Sequence, residues 1–278
     1  MYPSVCNINF QFLLTVDEFR KNFSHKPSWI KLTTITMISS FKKQIDLQKL
    51  RDFFENDNFV LKIKNTNNFK KWFIKPTKFY NQITLNCIDH NSTKSVKIFP
   101  NGSIQVAGCS DLINCHRLIK EITFLLQYFD GDIKENLDYR VVMINSNFSL
   151  NYNINLLETS HHFSNNDGLF KVSFEPDRYS AVKVKFKPAA DMKEVTVSIF
   201  STGKIIITGA ETLKEVAFAY NIIVNHINAN PNIRVNEVDN KEIFDKFSGY
   251  DIEDILEKIK RMGYKSWTRN VENSSIKF

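Results

Sequence analysis

Few residues of this chain can bend, staple or anchor it by themselves. Its 278 residues include 8 Gly and 7 Pro, too few for a low-complexity or collagen-like polymer, so a globular fold is expected. The 4 cysteines are Cys6, Cys87, Cys109 and Cys115, and none forms a CxxC pair. That leaves no disulfide framework, and reduced thiols in an intracellular protein are the expectation. Cys109, Cys115 and His116 lack zinc-finger spacing, and His161 and His162 are adjacent, so on a helix they point in different directions; no metal site is expected. The apolar run at 10–14 is too short for a secretory leader, and no apolar stretch reaches the ~18 residues that a membrane-spanning helix needs. Missing too are a Gly-rich phosphate loop, a nucleophile elbow and a carboxylate triad. No catalytic residue, cofactor, small-molecule substrate or enzymatic activity is therefore expected.

What is present is charge of one sign in one place. The formal net charge is +7. Residues 29–130 hold 15 Lys and Arg against 8 Asp and Glu, whereas 139–235 hold 10 against 8. A basic bias in the first half suits a polyanion partner.

An internal repeat is also present. "SVKIFPNGSIQVAGCSDL", from Ser95, echoes "TVSIFSTGKIIITGAETL", from Thr196, at an offset of 101 residues. Ile98 pairs with Ile199, Phe99 with Phe200, Gly102 with Gly203, and Gly108 with Gly209. Each copy is a predicted hairpin followed by a helix, Asp111 to about Phe129 and Thr212 to about Asn228, with Asp111 and Thr212 as N-caps. Upstream, Pro76, Lys78 and Phe79 match Pro176, Arg178 and Tyr179. Each copy opens with a strand and a helix, predicted at Asp46 to Glu55 and at about Ile154 to Phe163. The unit of strand, helix, antiparallel strands and long helix is used twice, in repeats over 29–130 and 139–235. The flanks are an N-terminal extension, 1–28, and a C-terminal extension, 236–278, with a short predicted helix at 251–261. That helix is either a docking helix for the fold or a partner-binding appendage. The fold class is α+β, with two sheets joined and helices on one side.

Helices cover one sheet face. Period-two counting places Ser198, Phe200, Ile206 and Thr208 on the other. An apolar sheet face of this kind is either a binding surface or is covered by 1–28 and 236–278.

The hairpins and the segments before them resemble the TATA-box-binding protein family. "SIFSTGKIIITGAE" (198–211) fits the family's hairpin well and "KIFPNGSIQVAGCS" (97–110) loosely; "FEPDRYSA" (174–181) and "KPTKF" (75–79) stand where the family has its stirrups. The resemblance spans about 30–235. It implies a duplicated saddle: a ten-stranded curved antiparallel sheet, helices on the convex face, a pseudo-twofold repeat, and a concave face that sits on the DNA minor groove. It implies aromatic wedges at Phe79, Phe99, Tyr179 and Phe200, and groove-floor positions at Ile206 and Thr208. The first repeat departs from the family there with Gln105 and Ala107, and Thr34 stands where the family has an Asn near the dyad, its second-repeat partner being Asn145 or Asn147. Lys78, Arg178, Lys97 and Lys204 are candidate phosphate contacts, and Glu175 lies on the stirrup that meets general transcription factor IIB in the family.

The function the resemblance implies is transcription initiation. The chain would bind and bend double-stranded AT-rich promoter DNA and recruit a general transcription factor IIB-like protein and the RNA polymerase machinery. The expected location is intracellular: the nucleus, or a cytoplasmic viral factory or virion for a virus-encoded chain. The alternative is a saddle-fold protein-interaction module that no longer binds DNA specifically.

Overall fold

A computed structural model describes residues 27–56, 60–62, 69–89, 92–134, 138–166, 168–237, 256–257, 260–261, 271–272 and 275–276. The described residues form two compact units, one over 34–143 and the other over 144–237 with 27–33.

The first unit holds β1 (Lys31–Ser40), α1 (Leu47–Asn56), β2 (Val60–Lys62), β3 (Phe69–Ile74), β4 (Ile83–Asp89), β5 (Ser92–Ile98), β6 (Ser103–Cys109) and α2 (Leu112–Phe129). Its antiparallel sheet runs β2-β3-β4-β5-β6-β1. The second unit holds β7 (Arg140–Ser149), β8 (Tyr152–Ile154), α3 (Leu156–Ser164), β9 (Lys171–Ser173), β10 (Ala181–Phe186), β11 (Val195–Phe200), β12 (Lys204–Ala210), α4 (Leu213–Ala229) and β13 (Arg234–Glu237). Its sheet runs β7-β12-β11-β10-β9, and β13 pairs with β8. The first sheet has one strand more, β2 at its edge, so the ten expected strands are eleven among the described residues.

Side-chain chemistry sets the helix ends. Asp111 caps α2 by accepting from Asn114 N at 2.7 Å. Thr212 and Glu215 form a capping box at the start of α4. α1 begins one residue later than expected because Asp46 is its cap, accepting from Gln48 N and Lys49 N. Likewise α3 begins at Leu156: Asn155 caps it, and Tyr152–Ile154 is drawn into pairing with β13.

Both long helices lay an apolar stripe on their sheet. In α2 it is Leu112, Cys115, Leu118, Ile119, Ile122 and Leu126, at the three- and four-residue spacing of one helix face. Beneath it, cross-strand rows such as Leu85, Val96, Val106 and Met37 are fully buried. The matching row in the second unit is Val184, Val197, Ile207 and Ser146.

The duplication extends to backbone strain. Phe99 to Gly102 and Phe200 to Gly203 are four-residue turns closed by a glycine N–H to the phenylalanine carbonyl at 3.0 and 2.9 Å. The glycines have φ of +77° and +76°, and an added Cβ would be driven into the backbone oxygen of Lys43 or of Tyr152. Only glycine fits. Gly108 and Gly209 sit at equivalent bulges: β6 has one extra residue between the pairs Met37–Val106 and Ile35–Cys109, and β12 has one between Ser146–Ile207 and Ile144–Ala210.

A histidine pair lies between α3 and α4. The His162 and His226 rings are 5.7 Å apart, and His226 also packs on Phe163 and Phe170. Burial, then the neighbouring His162, holds the His226 pKa below the usual 6.5. A depressed folded-state value stabilises the fold above the unfolded pKa, and that contribution is lost as pH falls through the folded value. We expect the second unit to melt at lower temperature at about pH 5.5 than at about pH 7.5, and His226→Phe to shrink the difference. Melting curves at the two pH values check it; an equal drop in the variant removes the assignment.

Among the described residues no helix is long and apolar enough to cross a membrane. Of the expected helix at 251–261, only Leu256, Glu257, Lys260 and Arg261 are described, all helical; most of the two extensions lies outside the described residues.

Candidate nucleic-acid interface

The sheet face turned away from the helices carries the candidate residues. Directly opposed residues of an antiparallel pair share a face with Cβ atoms ~5 Å apart, so the register reads out rows. In the second unit one row is Lys183, Ser198, Ile206 and Asn147, and the next includes Lys185, Thr196 and Thr208. In the first unit the matching rows are Thr84, Lys97, Gln105 and Ile38, then Asn86, Ser95 and Ala107. Lys97, Gln105, Ala107, Lys204, Ile206, Thr208 and Thr34 are all half-buried. Of these, Lys97, Gln105, Ala107, Ile206 and Thr208 lie in the rows themselves.

Register also fixes what sequence spacing left open. Ile35 pairs with Cys109 and Ile144 with Ala210, and Cys109 and Ala210 are repeat equivalents. Thr34 is thus matched by Met143, also half-buried. Asn145 and Asn147, offered as its partner, lie two and four residues further along β7. They share Met143's face by alternation, and each buries its side-chain Oδ1.

Each repeat puts one aromatic at the end of the inner hairpin and one on the preceding turn. Phe99 and Phe200 open the two glycine turns and are half-buried. Tyr179 closes a turn in which Arg178 N and Tyr179 N both donate to Glu175 O at 2.9 Å. The pairing of Ala181 with Phe200 brings Tyr179 alongside, and the two rings meet edge to face with centroids 5.8 Å apart. Tyr179 is 37% exposed, so water reaches it. In the first repeat Phe79 is 65% exposed, and Thr77 Oγ1 accepts from its backbone N–H.

Three residues that sequence reading passed over stand here. Tyr80, 97% exposed, follows Phe79 directly; two consecutive aromatics in a Pro-led turn were the available signal. Lys183 and Lys185 alternate with buried Val182, Val184 and Phe186 along β10, a period-two pattern that placed them on this face. Lys183 Nζ lies 4.2 Å from the Tyr179 ring centroid, a cation–π contact. Lys185 and Lys171 bind Glu194 at 2.8 and 3.0 Å, and these bonds, Lys185 first, hold its carboxyl below the usual carboxylate range.

Of the phosphate candidates, Lys78 and Arg178 are exposed, and Lys97 and Lys204 half-buried. Arg178 pairs with Glu175 at 3.1 Å on an open surface, a contact weak enough to exchange for another anion. Among the described residues no three His, Cys, Asp or Glu groups gather as metal ligands.

Comparisons with known proteins converge. The family model for "Transcription factor TFIID (or TATA-binding protein, TBP)" matches residues 138–229. A TATA-box-binding protein-like protein of Acanthamoeba polyphaga mimivirus is 27% identical over 232 residues, 69% of this chain and 63% of its own length. The chain thus spans less than two thirds of that relative. A TATA-box-binding protein of Methanothermobacter thermautotrophicus is 23% identical over 186 residues, 67% of this chain and 87% of its own. The solved structure of Methanococcus jannaschii TBP superposes with TM-score 0.53 at 20% identity, covering 73% of this chain and 99% of that one. That coverage includes both repeats and shows the fold: α+β, duplicated, of the TATA-box-binding-protein type.

Proposed function

We propose that this chain, a divergent member of the TATA-box-binding protein family, is a transcription initiation factor that grips AT-rich duplex DNA through the minor groove and bends it. The observation that carries this reading is the matched pair of faces. Each repeat presents half-buried rows with Ile, Thr, Ala and Ser among them, and sets aromatics beside them at equivalent positions.

The chemistry suits a minor groove. A·T edges there offer only acceptors, so methyl groups and a few hydroxyls can lie against them without stranding a donor. Rings such as Phe99 and Phe200 can take the place of lost base stacking at a kink. Lys78, Lys97, Arg178 and Lys204, joined by Lys183 and Lys185, supply cations for phosphates. No catalytic step is part of this reading. Glu175, exposed on its turn, is the contact we assign to a general transcription factor IIB-like protein, through which RNA polymerase machinery would be recruited.

The test is a gel shift on an AT-rich duplex across a salt series. Six phosphate contacts imply that affinity falls by about a thousandfold between about 50 and 200 mM salt. Binding that ignores salt, or no binding, would favour the alternative of a protein-interaction module on the same fold.

A further inference from the structure

We infer that the two repeats read different base composition: the second demands A·T where Ile206 lies, and the first accepts G·C where Gln105 lies. This rests on the minor-groove reading above.

The two residues occupy the same place in the duplicated fold. Gln105 pairs with Lys97 on one side and Ile38 on the other; Ile206 pairs with Ser198 and Asn147. Both are half-buried on the open face. A G·C pair differs from A·T in the minor groove by one donor, the guanine N2 amino group. Pressed against Ile206, that donor loses its water and meets methyl groups, an unmade hydrogen bond in a closed interface. Asn147, opposite Ile206, has its Oδ1 buried and without a hydrogen-bond partner, so as the side chain stands it shows no acceptor on the open face.

Gln105 has the opposite chemistry. Neither it nor Lys97 makes a side-chain hydrogen bond among the described residues, so its amide is uncommitted. Its Oε1 can accept from guanine N2, and its NH2 can donate to a cytosine O2 or a purine N3. Lys97 beside it adds a donor for the remaining acceptors. The next row differs less. One row along, Ala107 is matched by Thr208, whose hydroxyl already donates to Thr196 O at 3.2 Å. A chain with such unlike halves also has a built-in polarity, because a duplex with G·C in one half-site fits in one orientation only.

The experiment steps a single G·C pair through every position of an AT-rich duplex and measures competition for the full chain. The expected profile is lopsided. One position tolerates G·C within about threefold, and its counterpart in the other half-site loses about tenfold or more. Gln105→Val should make the tolerant position discriminate, and Ile206→Gln should relax the strict one. A symmetric profile with binding retained would overturn this inference and leave minor-groove binding standing. A Gln105→Val profile like the wild type's would do the same. Loss of all salt-sensitive duplex binding in the wild-type chain would overturn both.

Discussion

With Phe99 and Phe200 both replaced by alanine, an AT-rich duplex labelled at its two ends is expected to stay straight on the protein, whereas with the wild-type chain the ends are expected to draw together. Both rings open the glycine turns of equivalent hairpins, and both are half-buried rather than part of the closed core. Their removal therefore leaves the helix-covered rows intact, and the cost to stability should stay near ~1 kcal/mol. The cost to DNA binding is larger. Each kinked step forfeits a few kcal/mol of stacking, which an inserted ring offsets. Without two of the four rings, a bent complex loses its compensation, and affinity should fall by about 30- to 100-fold. Energy transfer between the labels reports the bend, and far-ultraviolet dichroism reports the fold. Unchanged transfer from a folded variant would remove the wedge assignment for these two residues.

Glu215→Ala should produce a large loss of stability in the second repeat. The carboxylate is fully buried. Its Oε2 accepts from Glu211 N at 2.6 Å and Thr212 N at 3.2 Å, and its Oε1 accepts from Lys193 N at 3.0 Å. One side chain thus ties the loop before β11 to the turn that starts α4. Alanine leaves those backbone donors without the acceptor and out of water, at a cost of about 3 kcal/mol or more. For a unit of this size that lowers the melting temperature by roughly 10 °C or more. Glu215→Gln keeps one oxygen but turns an NH2 toward a donor, so an intermediate loss is expected. The first repeat uses a cheaper arrangement, Asp111 with Asn114, and Asp111→Ala should cost about 1 kcal/mol. Thermal melts of the three variants check the order; a Glu215→Ala melt within a degree or two of wild type would remove the role given to the carboxylate.

These two predictions draw unequally on sequence and structure. The positions of Phe99 and Phe200 were readable because a turn that demands glycine leaves the same mark twice, at Gly102 and Gly203. Thr212 was readable as a cap because it precedes an apolar helical stripe. Glu215's third partner, Lys193, was not, since a loop 22 residues away leaves no local signal. Lys183 and Lys185 were legible in their alternation but were overlooked beside the hairpin. The match of Thr34 with Met143 was out of reach altogether. Repeat offsets differ from element to element, 101 residues at the hairpins and 109 from Ile35 to Ile144, because chain has been gained and lost in the connections. Only hydrogen-bond register carries the correspondence across such gaps.

By itself, then, the sequence determined the duplication, the α+β class, the glycine turns, the caps Asp111 and Thr212, and the face on which Ile206 and Thr208 lie. Each of these is decided within a few residues by backbone conformation, side-chain capping or period-two burial. Tertiary structure alone decided which residues share a row, Lys97 with Gln105 and Ile206 with Asn147, and which rings meet, Tyr179 with Phe200. Strand pairing brings together residues far apart in the chain, and only their rows make a surface that another molecule can read.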